Sequence, residues 1–328
     1  MFMNKGLALG IDLGGTKIYA VVTDEHNNCL SELKADTDSN ASPEKLADDI
    51  LALSRDVLAP LQLNFDNIQH FGLAVPSPVD PESGNCYHAT NLNWKSAALK
   101  DIITAKLCRQ IYLGNDANSG LLAEYHYGAA KGFNTVAGYF IGTGLGGGVI
   151  INGKLHHGNT GLAGELGHVI VKYDGRRCGC GHRGCVEAYC SKIAFVKAIK
   201  KAVFKHGMTT LIPSEKLNKE TRNIKSKHLA KAYHAGDPLV RKVIDKGAVM
   251  LGVAAAGLTA AVAPECIILG GGIISALGNE FLPVFRESFA EQLFGLPPEK
   301  IKICCAELGD RAVALGATLF ARNNGENL

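Results

Sequence analysis

Leu7-Ala8-Leu9-Gly10-Ile11-Asp12-Leu13-Gly14-Gly15-Thr16-Lys17-Ile18-Tyr19-Ala20-Val21-Val22-Thr23 is an apolar run, a break on paired glycines, and a second apolar run. Leu7 to Ile11 and Ile18 to Thr23 read as β-strands, and Asp12 to Thr16 as the turn that sends the chain back. Glycines at such a turn let backbone N–H groups approach and cradle a phosphate, while Thr16 and Lys17 offer further donors. Asp12 can reach a Mg²⁺-bound water beside that phosphate. An ordinary tight hairpin explains the same residues equally well.

Outward from this hairpin, strands and helices alternate. Pro43 to Ala59 has helical apolar spacing with Ser42 ahead of it, and Ile68 to Val75 is a strand ended by Pro76-Ser77-Pro78. Residues 111 to 114 form a short strand that delivers Asn115-Asp116, and Asn118 is expected to cap the helix that follows. Val136 to Ile141 enters a second glycine loop, Gly142-Thr143-Gly144-Leu145-Gly146-Gly147-Gly148, and Gly148 to Asn152 leaves it as a strand. The formal G-x-G-x-x-G match there does not open a helix, and Leu155 stands where a P-loop needs Ser or Thr. Both near-matches are therefore rejected in favour of a second phosphate-cradling hairpin. Pro238 to Val262 is a long helix, Cys266 to Leu269 a strand, Gly270-Gly271-Gly272 a turn able to lie under a flat base, and Arg311 to Arg322 a closing helix. The pattern predicts two α/β domains of related architecture with a nucleotide held across a cleft.

The chain of 328 residues is 47% hydrophobic and carries a net charge of +3, which implies neither a nucleic-acid nor a membrane partner. No signal peptide is expected at Met1 to Lys5, and no transmembrane span. Of the ten cysteines, seven are scattered, and most of these read as small buried hydrophobes. The other three lie in Cys178-Gly179-Cys180-Gly181-His182-Arg183-Gly184-Cys185, ten residues after His168. Three thiolates and an imidazole make a closed tetrahedral set for structural Zn²⁺, with His182 a competing ligand on spacing alone. Such a staple would gather Glu165, His168 and Glu187 as fixed partners for vicinal hydroxyls, although surface charge is the commoner fate of a lone Glu. Asp116 at a strand end can accept the proton of an attacking hydroxyl, and helix capping is its alternative role.

Taken together, these segments resemble the ROK family (repressors, open reading frames and kinases). The resemblance rests on Gly10 to Lys17, Asn91 with Trp94, Asn115-Asp116-Ala117-Asn118, Gly142 to Gly148, Gly164-Glu165-Leu166-Gly167-His168, Cys178 to Glu187, Leu269 to Gly272, and Gly309-Asp310-Arg311 to Gly316-Ala317. It implies an actin/hexokinase-like (ribonuclease H-like) α/β fold of two domains with a central cleft. The expected division is 1–117 with about 310–328 as the small domain, and 118–309 as the large domain with the zinc loop.

The resemblance also implies an ATP-dependent sugar kinase, closest to the bacterial glucokinases and similar to N-acetylmannosamine kinases. Asp116 would be the base, and Asn91, Asn115, Asp116, Glu165, His168 and Glu187 would meet the sugar. Asp12, Gly14, Gly15, Thr16, Lys17, Gly142, Thr143, Gly144, Gly271 and Gly272 would hold ATP with Mg²⁺. His168, Cys178, Cys180 and Cys185 would hold Zn²⁺. Glucose is the first choice of substrate, with an N-acetylhexosamine or fructose as alternatives, in a cytoplasmic homodimer. Family members commonly carry Pro-Gly-Pro where this chain has Pro76-Ser77-Pro78, so Ser77 is expected to place a side chain near the sugar. The different-class alternative is a sugar-responsive regulator. Such relatives carry a DNA-binding domain ahead of a first strand that here begins by about Gly6, and Asp116 favours catalysis.

Overall fold

The computed structural model describes residues 6–80, 83–87, 89, 92, 94, 96–221 and 223–325. In chain order these form β1 (Ala8–Leu13), β2 (Lys17–Thr23), β3 (Cys29–Asp36), α1 (Pro43–Leu58), β4 (His70–Val75), β5 (Cys86–Tyr87), β6 (Ser96–Ala97), α2 (Leu99–Leu107), β7 (Tyr112–Asn115) and α3 (Asp116–Tyr127). There follow β8 (Val136–Ile141), β9 (Leu145–Ile151), β10 (Lys154–Leu155), α4 (Lys192–His206), α5 (Ser226–His234), α6 (Pro238–Val262), β11 (Cys266–Gly270), α7 (Gly272–Gln292), β12 (Lys302–Cys305) and α8 (Ala312–Arg322).

The chain divides into two compact units. One comprises Met1–Gly132, Gly148–Gly164 and Asp310–Leu328, and the other Phe133–Gly147 and Glu165–Gly309. The first unit therefore extends past the expected boundary at 117, because α3 packs against α8. Its sheet has the order β3-β2-β1-β4-β7. β1 pairs antiparallel with β2 and parallel with β4, and β4 pairs parallel with β7. Leu9, Ile11 and Leu13 on β1 enter a core with Leu46, Ile50 and Val57 of α1. Between them Gly10 faces α8, where a Cβ would lie 2.1 Å from the Ala314 carbonyl oxygen. Gly72 of β4 meets Ala317 in the same way, at 1.9 Å. The sheet thus lies directly against the backbone of α8.

The second sheet has the order β10-β9-β8-β11-β12, with β8, β11 and β12 parallel. In the second unit α6 packs closely on α7, where Gly252 leaves room for the backbone at Phe289 and the Phe285 and Phe289 rings stack 6.1 Å apart. Asp237 caps α6 by accepting from the N–H groups of Leu239 and Val240, and Pro238 fits the first turn. By length and composition α6 could cross a bilayer, which was not expected from the sequence. Over half of it is buried, so its apolar residues serve the protein core.

Two further expectations change. The strand β3 was not foreseen, because its residues are largely exposed and show no clean apolar alternation. The cap of α3 is Asn115, whose Oδ1 accepts from the Asn118 N–H at 3.0 Å, so Asp116 already belongs to the first turn.

Gly316 of α8 packs so closely on α3 that a Cβ would lie 1.8 Å from the Ser119 carbonyl oxygen. Gly316→Ala is expected to destabilise the protein by about 3 kcal/mol or more. Gly257→Ala on α6, where a Cβ meets nothing within 4 Å, should be neutral or slightly stabilising. Thermal denaturation of both variants checks the pair.

Candidate functional site

In the first unit the candidate residues collect where β1 and β7 end. The turn after β1 is closed by the Gly14 N–H donating to the Lys17 carbonyl at 2.9 Å, and Thr16 and Lys17 are exposed at its tip. A Cβ on Gly14 would lie 2.9 Å from that carbonyl, so glycine is required there. Asp12 shares the α8-facing side of β1 with Gly10. Burial pushes its carboxyl up to about 8; the nearby charges of Asp116 and Asp310 add to the effect, and Lys34 opposes it. Lys34 Nζ in turn pairs with Asp310 at 2.7 Å, and Arg311 binds Glu32 through two hydrogen bonds of 2.6 and 2.8 Å.

Asp116 follows β7 directly. Its Oδ1 accepts from the Ala117 N–H at 2.7 Å, which holds the carboxylate at the mouth of the helix. Burial raises its pKa to about 6, against the lowering effect of that hydrogen bond. Asn115 uses Oδ1 as the cap, and its Nδ2 donates to the Ser77 carbonyl at 3.3 Å. An amide nitrogen carries two hydrogens, so Asn115 can donate a second time. Asn91 lies outside the described residues.

In the second unit the glycine loop 142–144 is held from below by α4, whose Lys192 and Ile193 N–H groups donate to the Gly142 and Thr143 carbonyls at 3.1 and 3.3 Å. Gly271, with φ of 84°, presses against the backbone of Ile141, and a Cβ there would lie 2.7 Å from it. The turn at 271–272 and the loop at 142–144 therefore share one neighbourhood at the end of β8.

The cysteine loop is built by short-range hydrogen bonds. Cys178 N–H donates to the His182 carbonyl at 2.8 Å, and Gly181 and Gly184 take positive φ of 94° and 84°. One ligand atom from each of His168, Cys178, Cys180 and Cys185 lies within 4.8 Å of the other three. Cys180 and Cys185 Sγ are 3.7 Å apart, and Cys178 Sγ is 3.8 Å from His168 Nδ1. A tetrahedral Zn²⁺ with bonds of about 2.3 Å has edges of about 3.8 Å, so the four donors fit that ion. His182 Nδ1 lies 3.6 Å from Cys180 Sγ and is not one of the four.

Glu187 joins this loop to the glycine loop. Its Oε2 accepts from the Leu145 N–H at 3.0 Å, and its Oε1 accepts from Cys178 at 3.3 Å. A Cβ on Gly144 would meet Oε2 at 2.5 Å, and one on Gly167 would meet the Leu145 carbonyl at 2.0 Å. Glu165 is half-buried, its carbonyl accepting from the His168 N–H at 3.0 Å. The bond from Glu187 to Leu145 and the proximity of Asp310 to Asp12 were not visible in the sequence. Only the short spacing from Cys185 to Glu187 hinted at the first.

The raised pKa of Asp12 predicts a pH effect on stability. Folded protein holds the Asp12 proton up to about pH 8, whereas the unfolded chain releases it near 3.8, so folding binds a proton between those values. Stability from this group is full below pH 3.8 and declines as pH rises to about 8. Without divalent cations, Asp12→Asn should raise Tm at pH 8 and leave it nearly unchanged at pH 4. Calorimetry at the two pH values measures the difference.

The ROK family model matches residues 8–324. A glucokinase of Streptomyces coelicolor is 32% identical over 97% of this chain and 98% of its own length. The structure of a ROK family glucokinase from Streptomyces griseus in complex with glucose and AMPPNP superposes with a TM-score of 0.83, at 32% identity, over 97% of this chain and 100% of that one. A xylose repressor of Caldicellulosiruptor bescii is 30% identical over 95% of this chain and 77% of its own length. With the family pattern matched from the first strand to the last helix, on an actin/hexokinase-like fold, the chain belongs to the ROK family.

Proposed function

We propose that the chain is an ATP-dependent hexokinase that transfers the γ-phosphoryl group of ATP to the 6-hydroxyl of glucose. The observation that carries this reading is Asp116, a recessed carboxylate in the first turn of a helix with its pKa raised by burial to about 6. A base of that strength is ionised at neutral pH yet holds a proton better than an ordinary carboxylate. As the sugar oxygen bonds to the γ-phosphorus, Asp116 takes its proton and the bond from phosphorus to the ADP oxygen breaks.

The remaining residues bind and orient. Gly14 to Lys17 and Gly142 to Gly144 offer N–H and side-chain donors to the phosphates, and Gly271 and Gly272 leave room for the adenosine. Asp12 would hold Mg²⁺ through water, and that ion would supply charge neutralisation on the phosphates. A ligand set of one imidazole and three thiolates leaves no open position, so Zn²⁺ would fix the loop that carries Glu165, His168 and Glu187. These three, with Asn91 and Asn115, are the acceptors and donors for the sugar hydroxyls. A cytoplasmic homodimer is part of the same reading.

A second reading, a sugar-responsive regulator, is favoured by the likeness to the xylose repressor. A coupled ADP-release assay separates the two, using ATP-Mg²⁺ with glucose, N-acetylmannosamine, N-acetylglucosamine, mannose and fructose. Turnover led by glucose is expected, and Asp116→Asn should lower kcat by about 10²- to 10⁴-fold. Turnover led by an N-acetyl sugar keeps the mechanism and changes the substrate. Sugar binding without turnover supports the regulator. The rate is expected to fall below about pH 6, where Asp116 gains its proton.

Metal removal gives a separate test. Elemental analysis should find stoichiometric zinc in the purified protein. Cys180→Ser or a strong chelator should remove it and weaken sugar binding more than nucleotide binding.

A further inference from the structure

Lys192 opens α4 against the second glycine loop, where its N–H donates to the Gly142 carbonyl at 3.1 Å. The next N–H, of Ile193, donates to the Thr143 carbonyl at 3.3 Å, and Ser191 Oγ caps the helix by accepting from the Ala194 N–H at 3.1 Å. The backbone at Lys192 is thus fastened to the loop. Gly142 borders open space, since a Cβ there would meet nothing within 4 Å.

The five lysines of α4 find different surroundings. Lys197, Lys201 and Lys205 are exposed and keep their ammonium groups in water. Lys200 is half-buried, and its Nζ donates to the carbonyls of Lys219 and Thr221, the latter at 2.8 Å. Lys192 is also half-buried, yet among the described residues its Nζ has no hydrogen bond and no ion pair. Burial holds its pKa below the ordinary lysine value, with no neighbouring charge adding to the effect. The nearest carboxylate in the sequence, Glu187, is engaged by the Leu145 N–H and by Cys178. A cation drawn from water without a counter-charge is unfavourable, and the first turn of a helix is a poor place for one. The protein supplies no anion for Lys192, so the counter-charge comes from a ligand.

We propose that Lys192 is a further nucleotide-binding residue, its ammonium meeting the phosphate chain of ATP or ADP at the glycine loop 142–144. This role rests on the reading of that loop as a phosphate cradle. Backbone N–H groups in such a cradle donate hydrogen bonds but carry no full charge, and a lysine adds one as a mobile point charge. Nucleotide binding then relieves the unpaired ammonium of the free protein.

Titration calorimetry and thermal denaturation of wild type, Lys192→Met and Lys192→Arg test this, with Mg-ADP and glucose as ligands. Met keeps an unbranched apolar stem without the charge. Its variant is expected to bind Mg-ADP about tenfold more weakly and glucose within about twofold of wild type. Without ligand its Tm should equal or exceed that of wild type, whereas loss of a structural lysine would lower it. Lys192→Arg keeps the charge and should hold Mg-ADP affinity within about threefold. A Met variant that loses glucose and Mg-ADP affinity equally, or that loses Tm without ligand, overturns the proposal. A wild type that binds Mg-ADP beside a Met variant of the same affinity overturns this role alone. A wild type that binds no Mg-ADP overturns the nucleotide site and this role with it.

Discussion

The constraint on which the first unit depends is the direct approach of α8 to the sheet and to α3. Gly10, Gly72 and Gly316 each leave less than 2.2 Å between a hypothetical Cβ and a backbone oxygen of the partner element, so no side chain fits at any of them. A contact of this kind tolerates no sliding, because interiors are packed as densely as molecular crystals. It sets where β1 ends relative to α3, and hence where Asp12 lies relative to Asp116. It also brings Asp310, just ahead of α8, into the field of Asp12.

That gathering has an electrostatic cost. Three carboxylates share one region with Lys34 as the cation that opposes them at Asp12, and Lys34 itself is paired with Asp310. Asp12 and Asp116 both have raised pKa values, each chiefly because water is kept away. Paired shifts of this kind are usual at functional sites. The second unit solves a different problem. There the tight turns of the cysteine loop and the Glu187 bond to Leu145 hold a largely irregular segment to the glycine loop.

What could be read in the sequence follows burial. β1, β2, β8 and β11 are almost wholly buried, so they appear as continuous apolar runs, and α6 announces itself through Asp237 and Pro238. The cysteine cluster was legible because its ligands are close in sequence. β3 was not, since its exposed residues carry no periodic signal, and neither was the choice of Asn115 over Asn118 as cap, because both residues are capable of it. The field of Asp310 on Asp12 joins opposite ends of the chain and required the fold.

β3 is the outer strand of its sheet, and its backbone edge has no further strand beside it among the described residues. Such an edge invites another chain to add on and build an aggregate. Here Glu32 and Lys34 project from that strand and are held in place by Arg311 and Asp310. The residues that fasten the start of α8 therefore also act as a charged guard against edge-to-edge association. Neutralising them would put colloidal stability at risk along with the geometry around Asp12, so loss of solubility and loss of activity at these positions share one cause.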